Sequence, residues 1–422
     1  MDNTLGVYIH IPFCASKCGY CDFYSLAGCG KMMGKYQEAL EKHIAESAST
    51  FSRFFIDTVY FGGGTPSYFG ARRLCSIFNT LKRSGRVLKT AEVTVEVNPD
   101  SITKRDLKLL RSEGVNRISI GMQSADDDLL RLIGRRHNFK QVQLAVKNAR
   151  AAGFDNISLD LIFGLPSQTR EEWADTLGKA LALRPTHLSC YGLKLEEGTP
   201  MYRYAGSPVL PSDDDQADMY LYTVETLERY GYHQYEISNF SKKGCESRHN
   251  LKYWSLEDYV GFGPAAHSCV DGVRYSYIAD LDGYISGVLG EKSIIDEYEK
   301  VDRLDRAAEY LMLGLRRSVG ISREEYLSIY RSDFDAIEDL FKSFEKQGWA
   351  KNNQGRWSFT PSGFLLSNQL IGAVLEAQAE LKLNGNPWIR ESFGDTSSDA
   401  LLSVAGGVGP ASTQGRESRL NS

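Results

Sequence analysis

No apolar run in this sequence approaches the roughly 20 residues that a helix needs to cross a bilayer, and Asp2 precedes any basic residue, unlike the layout of a secretory leader. A basic excess is missing too. The 49 Lys and Arg stand against 54 Asp and Glu, a net charge of −5, so no general field gathers nucleic acid or anionic membrane. Small molecules and proteins are the expected partners, and nucleic acid is not. There are only eight cysteines in 422 residues, and no second closely spaced set matches the first, so the usual two-pair layout of structural zinc is absent. The cytoplasm is the default compartment. Thiols stay reduced there, which makes clustered cysteines candidates for metal or redox chemistry. A chain of this length predicts about two to three domains and a core large enough to need no staples.

Short β-branched or aromatic runs recur along the chain: VYIHI, TVYFG, EVTVEV, RISIG, ISLDLIF and HLSCYGL. Longer segments with helical periodicity separate them: GKYQEALEKHIAES, ARRLCSIFNTLKRS, ITKRDLKLLRSEG, QVQLAVKNARAAG, REEWADTLGKALAL and DDDQADMYLYTVETLERYG. The alternation predicts an α/β fold of six β-α units with a parallel sheet. Six units suit a partial (β/α)6 TIM-type barrel, and an open doubly wound sheet is the alternative. Several helical segments end in Gly shortly before the next strand, as a left-handed cap requires.

The unusual residues follow the strands. Cysteines come after VYIHI, GGGTPS after TVYF, Asn98-Pro99 after EVTVEV, Gly121 and Gln123 after RISI, and GLPSQT after SLDLIF. Loops at the C-terminal strand ends of a parallel barrel share one face, so these features are expected to form one site. Cys14, Cys18 and Cys21 suit a Cys3His zinc site with His10 or a distant His as fourth ligand. They equally suit a [4Fe-4S] cluster with one iron left open to an exogenous group, and the single knot of three thiols favours the cluster.

The spacing Cys14-Ala-Ser-Lys-Cys18-Gly-Tyr20-Cys21 after a first strand resembles the CxxxCxYC signature of radical S-adenosylmethionine (SAM) proteins. The resemblance implies that the open iron chelates the methionine moiety and that an electron from the cluster cleaves the sulfonium. Gly62, Gly63, Gly64 and Thr65 resemble the family's glycine motif for the methionine amine. Tyr8, Glu96, Gln123, Arg135 and Asp160 resemble its further SAM contacts. Carboxylates suit ribose hydroxyls, and a guanidinium suits the methionine carboxylate.

Within that family, oxygen-independent coproporphyrinogen III dehydrogenases carry another cysteine two residues after the third and an extension ahead of the cluster. Phe23 stands at that cysteine position here. The segment RHNLKYWSLEDYVGFGPAAHS instead resembles the HNxxYW heme-binding motif of HemW-type heme chaperones, on His249, Asn250, Tyr253 and Trp254. Taken alone, a histidine among aromatics is more often a core residue with a hydrogen-bond partner than an axial ligand. The resemblance, which spans Gly6 to Leu375, implies that His249 ligates heme iron. Arg248, Lys252 and Lys242 are candidates for the propionates, and His267 and Cys245 for a second axial ligand.

The resemblance further implies a heme-acceptor protein, a respiratory one being a candidate, and a reductant such as flavodoxin or ferredoxin. It also implies cytoplasmic residence with peripheral membrane contact on delivery. An exposed edge of an incomplete barrel makes a homodimer a candidate. Two alternatives remain open: radical decarboxylation of coproporphyrinogen III, and radical attack on another tetrapyrrole, such as anaerobic heme degradation.

Beyond residue 300, helical stretches around RLDRAAEYLMLGLRRSVG, SREEYLSIY and FDAIEDLFKSFEKQG precede WAKNNQGRWSFTPSG, a hairpin turning at Asn-Gln-Gly. This predicts an α+β winged-helix-like module. Its third helix is acidic, carrying Asp335, Glu338, Asp339 and Glu345, so packing rather than DNA binding is expected. The divisions expected are 1–230 for the barrel, 231–300 for a connecting segment with the heme-type motif, and 301–376 for the winged-helix-like module. Residues 377–422 are expected to be a disordered tail, with a non-native appendage as one origin.

Overall fold

The computed structural model describes residues 3–331 and 333–385. Its first part is a β-α alternation with only short strands and helical turns in the intervening loops: β1 (Thr4–Ile11), α1 (Met33–Glu46), β2 (Phe55–Gly63), α2 (Ala71–Ser84), β3 (Arg86–Val97), α3 (Lys104–Ser112), β4 (Arg117–Gln123), α4 (Phe139–Ala151), β5 (Asn156–Phe163), α5 (Arg170–Ala182), β6 (His187–Gly192) and α6 (Asp213–Arg229). All six predicted strands and helices are present. The helix starts follow from capping chemistry: Thr103, Asn138, Thr169 and Ser212 each accept from the backbone three residues on, and the residue there returns a hydrogen bond. Gly114, Gly153 and Gly231 take positive φ after their helices, whereas Gly85 is extended at φ −141°.

Strands β1 to β6 pair in sequence order, each parallel to the next. A doubly wound sheet would reverse its strand order at a switch point, so that alternative is excluded. Alternate strand positions point to opposite faces. Val7, Ile9, Ile11, Val59, Phe61, Val93, Val95, Ile118, Ile120, Leu159 and Leu161 are buried against the helices. The positions between them are largely polar and face the interior of the partial barrel.

Residues 231–300, expected to connect two modules, supply six more strands to the same sheet. These are β7 (His233–Gln234), β8 (Asn239–Ser241), β9 (Tyr259–Phe262), β10 (His267–Val270), β11 (Val273–Tyr277) and β12 (Ile295–Lys300). The sheet runs β12-β11-β10-β9-β1-β2-β3-β4-β5-β6-β8-β7 and remains open. β9 is a seventh parallel strand beside β1, and β10 turns back antiparallel to it. Helix α7 (Arg248–Trp254) leads into β9.

The last part contains α8 (Arg303–Gly314), β13 (Ile321–Ser322), α9 (Arg323–Tyr330), α10 (Asp335–Lys346), β14 (Ala350–Asn353) and β15 (Arg356–Phe359). The hairpin turns at Gln354 and Gly355, both at positive φ, 53° and 83°. Trp357 of the wing stacks on Phe341 of α10, with ring centroids 5.4 Å apart. Asp335 and Glu338 of the acidic helix pair with Arg323, each at 2.6 Å. The expected loss of order at residue 377 is corrected by α11 (Ser367–Gly385), where buried Gln378 donates to the Tyr326 hydroxyl at 2.8 Å. The helix continues because its apolar positions Leu370, Ile371 and Val374 pack into the core. The rest of the expected tail, 386–422, lies outside the described residues.

Candidate functional site

The three cysteines sit on the loop after β1, at the C-terminal end of the parallel strands. That loop is tied down by backbone bonds rather than by its own side chains. Gly64 N–H donates to Ile11 O and Thr65 N–H to Phe13 O, both at 2.8 Å. A Cβ on Gly64 would lie 2.8 Å from Ile11 O and 2.9 Å from Phe13 O, so only glycine lets the loop after β2 approach this closely. On the other side Gly19 N–H donates to Ile133 O at 3.0 Å, and Gly19 O accepts from Met201 N–H at 2.9 Å.

Within this clamp Cys14 is buried, with its Sγ 3.4 Å from Thr65 Oγ1. Arg135 donates to Cys18 Sγ at 3.5 Å, to Asn98 Oδ1 at 2.8 Å and to the Gly121 carbonyl at 2.8 Å, and its Nε is buried without a partner. Gly121 leaves that room, since a Cβ there would lie 2.8 Å from the guanidinium. Burial pushes the Cys21 thiol up, and the neighbouring Cys18 and Cys14 add to the shift. Cys21 has Cys18 and Cys14 as neighbours and the fixed Arg135 guanidinium lies beside Cys18, thiols and a cation of the kind a thiolate cluster uses, although among the described residues no three such side chains are grouped as a ready metal site. Phe23, two residues on, is 45% exposed.

The other expected SAM contacts converge on the same end. Gln123 closes β4 at φ 63°, a left-handed conformation rare for its residue type. Glu96 and Asp160 project inward from β3 and β5. Burial drives the Glu96 carboxyl up to about 7, opposed by the hydrogen bond that Tyr60 donates at 2.8 Å. Burial also raises Asp160, against hydrogen bonds from Ser189 and Ser119. Tyr8 lies deeper, its hydroxyl 3.1 Å from His10 Nδ1, while His10 Nε2 is 2.8 Å from Tyr24 O on the cysteine loop. Burial holds His10 neutral, down to about 4.

The HNxxYW segment lies at the opposite end. Helix α7 covers the N-terminal ends of β1 to β3 and forms the floor of the barrel. Arg248 and His249 donate their backbone N–H groups to the two oxygens of Glu92, each at 3.1 Å. Lys252 reaches Asp57 at 3.0 Å and Glu257 at 2.8 Å, and Arg248 reaches Asp57 at 3.2 Å. His249 is 1% exposed, with Nδ1 2.9 Å from Thr58 Oγ1 and Nε2 2.7 Å from the Tyr253 hydroxyl. Its ring stacks on Tyr60 at 5.2 Å and meets Tyr253 edge-on at 5.1 Å. Asn250 and Trp254 are half-buried on the same helix.

The two motifs therefore occupy opposite ends of one lumen, with Tyr8 and Tyr60 stacked between them at 6.2 Å. His267 is beside His10 at the cysteine end, so it and His249 do not face a common point. Cys245 lies near Thr186, on the floor side of β6.

Apart from Glu96 and Asp160, the lining between the ends escaped the sequence reading. Thr58 and Tyr60, Glu92, Thr94 and Glu96, Arg117 and Ser119, Ser158 and Asp160, His187 and Ser189 occupy alternate strand positions facing inward. Arg117 is 2% exposed, held charged by Glu92 and Asp160 among its neighbours. His187 links Ser158 to Tyr235, at 2.7 Å on each side. A signal was present. Parallel strands buried on both faces should read as near-continuous apolar runs, and these alternate.

A partial barrel with three cysteines after its first strand and a glycine loop pressed against them defines a radical SAM protein. Residues 8–180 match the radical SAM superfamily. The heme chaperone HemW of Bacillus subtilis is 36% identical over 375 residues, 87% of this chain and 98% of the relative. HemW of Escherichia coli is 32% identical over 379 residues, 88% of this chain and 98% of the relative. Among solved structures, coproporphyrinogen III oxidase (HemN) from Escherichia coli, described as a radical SAM enzyme, superposes with a TM-score of 0.78. It is 24% identical, covering 89% of this chain and 90% of that one, and so shares the fold. The chain belongs to the HemW heme chaperone family. Among the described residues no helix is long and apolar enough to cross a membrane.

Proposed function

We propose that this protein carries a [4Fe-4S] cluster on Cys14, Cys18 and Cys21, binds SAM beside it, and takes up heme for transfer to an acceptor protein. The observation that carries the reading is the pair of motifs at the two ends of one polar lumen, in a chain whose relatives are heme chaperones. When bound, the cluster supplies an electron able to cleave the sulfonium of SAM. The chain's own residues set the rest. Gly62, Gly63 and Gly64 with Thr65 offer a close backbone cradle for the amino group. Arg135 presents a fixed fork whose buried Nε–H is without a partner and suits a carboxylate. Glu96, Asp160, Gln123 and Tyr8 line the position of the nucleoside, Glu96 accepting ribose hydroxyls in its ionised form.

Heme is the cargo. His249 supplies the imidazole, with Asn250, Tyr253 and Trp254 around it and Arg248 as a surface cation for a propionate. A flavodoxin- or ferredoxin-like reductant and a respiratory acceptor fit this role. So do a homodimer and cytoplasmic residence with transient contact at the membrane.

The test is an anaerobic hemin titration of the cluster-loaded chain, followed by its Soret band. His249→Ala is expected to lose the axial-ligand signature, and transfer to an apo-acceptor should follow for the parent protein. Turnover of coproporphyrinogen III to protoporphyrinogen would replace this reading with the decarboxylase one.

A further inference from the structure

Resting on the reading of His249 as the heme ligand, we infer that Glu92 is a positioning residue that latches the HNxxYW helix in a closed, non-ligating form, and that heme ligation proceeds by release of this latch. In the folded arrangement His249 does not fit heme iron. Both ring nitrogens are engaged, by Thr58 and Tyr253, and the ring is sandwiched in the barrel floor with 1% of its surface exposed. An iron needs one nitrogen free and a flat approach to it, and neither exists while α7 lies across the strand ends.

Glu92 is the group that fixes α7 there. It lies on β3, 156 residues earlier in the chain than Arg248, and its two oxygens take the first two N–H groups of the helix. These donors lack partners within their own helix. Ser247, at the cap position, makes no side-chain cap bond, and its hydroxyl is buried without a partner. Glu92 therefore does from across the barrel what a capping side chain would do locally. Its charge is balanced by Arg117, itself fully enclosed, so the latch is built into the lumen rather than onto the surface. Thr58 and the Asp57–Lys252 pair are the second point of attachment.

The helix is short, seven residues, and polar bonds tie it to the strands, Arg248 to Asp57 and the Thr90 carbonyl and Lys252 to Asp57, so it can swing once these and the Glu92 bonds let go. Releasing it frees Nδ1 of the imidazole from Thr58, while the bond from Nε2 to Tyr253 travels with the helix, and it opens Tyr253 and Trp254 as apolar surface at the same moment. Uptake of the flat ligand is thus coupled to opening of the floor.

The experiment is stopped-flow hemin binding to the full cluster-loaded chain and to its Glu92→Gln and Thr58→Val variants. His249→Ala serves as the ligand control, and hydrogen exchange of the Arg248 and His249 amides reports the latch directly. Glu92→Gln keeps the shape and one acceptor but removes the charge-assisted bonds. It should speed both hemin association and exchange of those two amides by about tenfold. Thr58→Val frees Nδ1 from a different strand and should act in the same direction. Association rates equal to the parent in both variants, with the His249→Ala spectrum lost, overturn the latch and leave the ligand standing. A parent-like Soret spectrum in His249→Ala overturns the ligand assignment, and with it the need for release. Should Glu92→Gln fold poorly, the Thr58→Val rate decides alone.

Discussion

Removing a single oxygen atom, in Tyr60→Phe, tests how the lumen sets the charge of the proposed SAM site. The Tyr60 hydroxyl donates to Glu96 at 2.8 Å and is the largest influence opposing the burial that pushes this carboxyl up to about 7. The ring, with its stacking on His249, is kept. A hydrogen bond to a charged group contributes about 1.5–3 kcal/mol, and 1.36 kcal/mol is one pKa unit, so the Glu96 pKa should rise by at least about one unit. If SAM needs the ionised carboxylate, half of the parent protein is competent at pH 7. With the pKa one unit higher, about one molecule in eleven is competent. The affinity should fall about fivefold at pH 7, and the difference should close by about pH 9, where both forms are ionised. The assay is isothermal titration of SAM into anaerobically reconstituted protein at half-unit pH steps. An inflection that stays in place, or a loss of affinity equal at every pH, refutes the reasoning, because a purely steric role has no pH signature.

Three further outcomes are expected. Gly64→Ala places a methyl against two backbone carbonyls, Ile11 O and Phe13 O, which cannot rotate away; the strain should cost about 1–3 kcal/mol, read as a lower Tm together with less iron retained per chain. Arg135→Lys keeps the charge but loses the fork that bonds Asn98, the Gly121 carbonyl and Cys18 at once; SAM affinity should drop about tenfold or more with cluster content intact, and a loss of cluster instead would mark the residue as a support of the loop. His43 is buried against Tyr284, and burial lowers its pKa to about 4. The unfolded chain therefore takes up its proton near pH 6.5, before the folded one does, so stability is present above 6.5 and declines as pH falls toward 4, by up to about 3 kcal/mol for this group. Urea unfolding at pH 7 and pH 4.5 should show a smaller difference in His43→Gln, and an equal difference would remove His43 from the acid response.

Much of the barrel was legible because its code is local. Each strand announced itself by β-branched residues and each helix by period and cap, as in Thr169 to Glu172, and ARRLCSIFNTLKRS matches its helix at both ends. The cysteine loop was legible for a similar reason, since its three cysteines fall within eight residues. The role of 231–300 was less so. The strand Tyr259–Phe262 is only four residues long and pairs with β1, over 240 positions away, a contact that nothing in its own composition specifies. The end of the fold was misplaced because alanine and glutamine near residue 377 read as loss of pattern, while Gln378 is held by a hydrogen bond to Tyr326.

By itself the sequence determined the alternating α/β architecture, the cysteine and glycine loops at one strand end, and the chemical types present at His249 and its neighbours. These depend on periodicity and on spacing within single loops. Tertiary structure alone decided where the second motif lies. The inward alternation of six parallel strands creates a polar lumen, and a carboxylate from β3 fixes α7 across its floor. His249 is thereby at the far end from the cysteines, with both nitrogens occupied. No local pattern carries that fact, because it arises from Glu92, Thr58 and Tyr60, residues brought to the helix only by the pairing of their strands in the sheet.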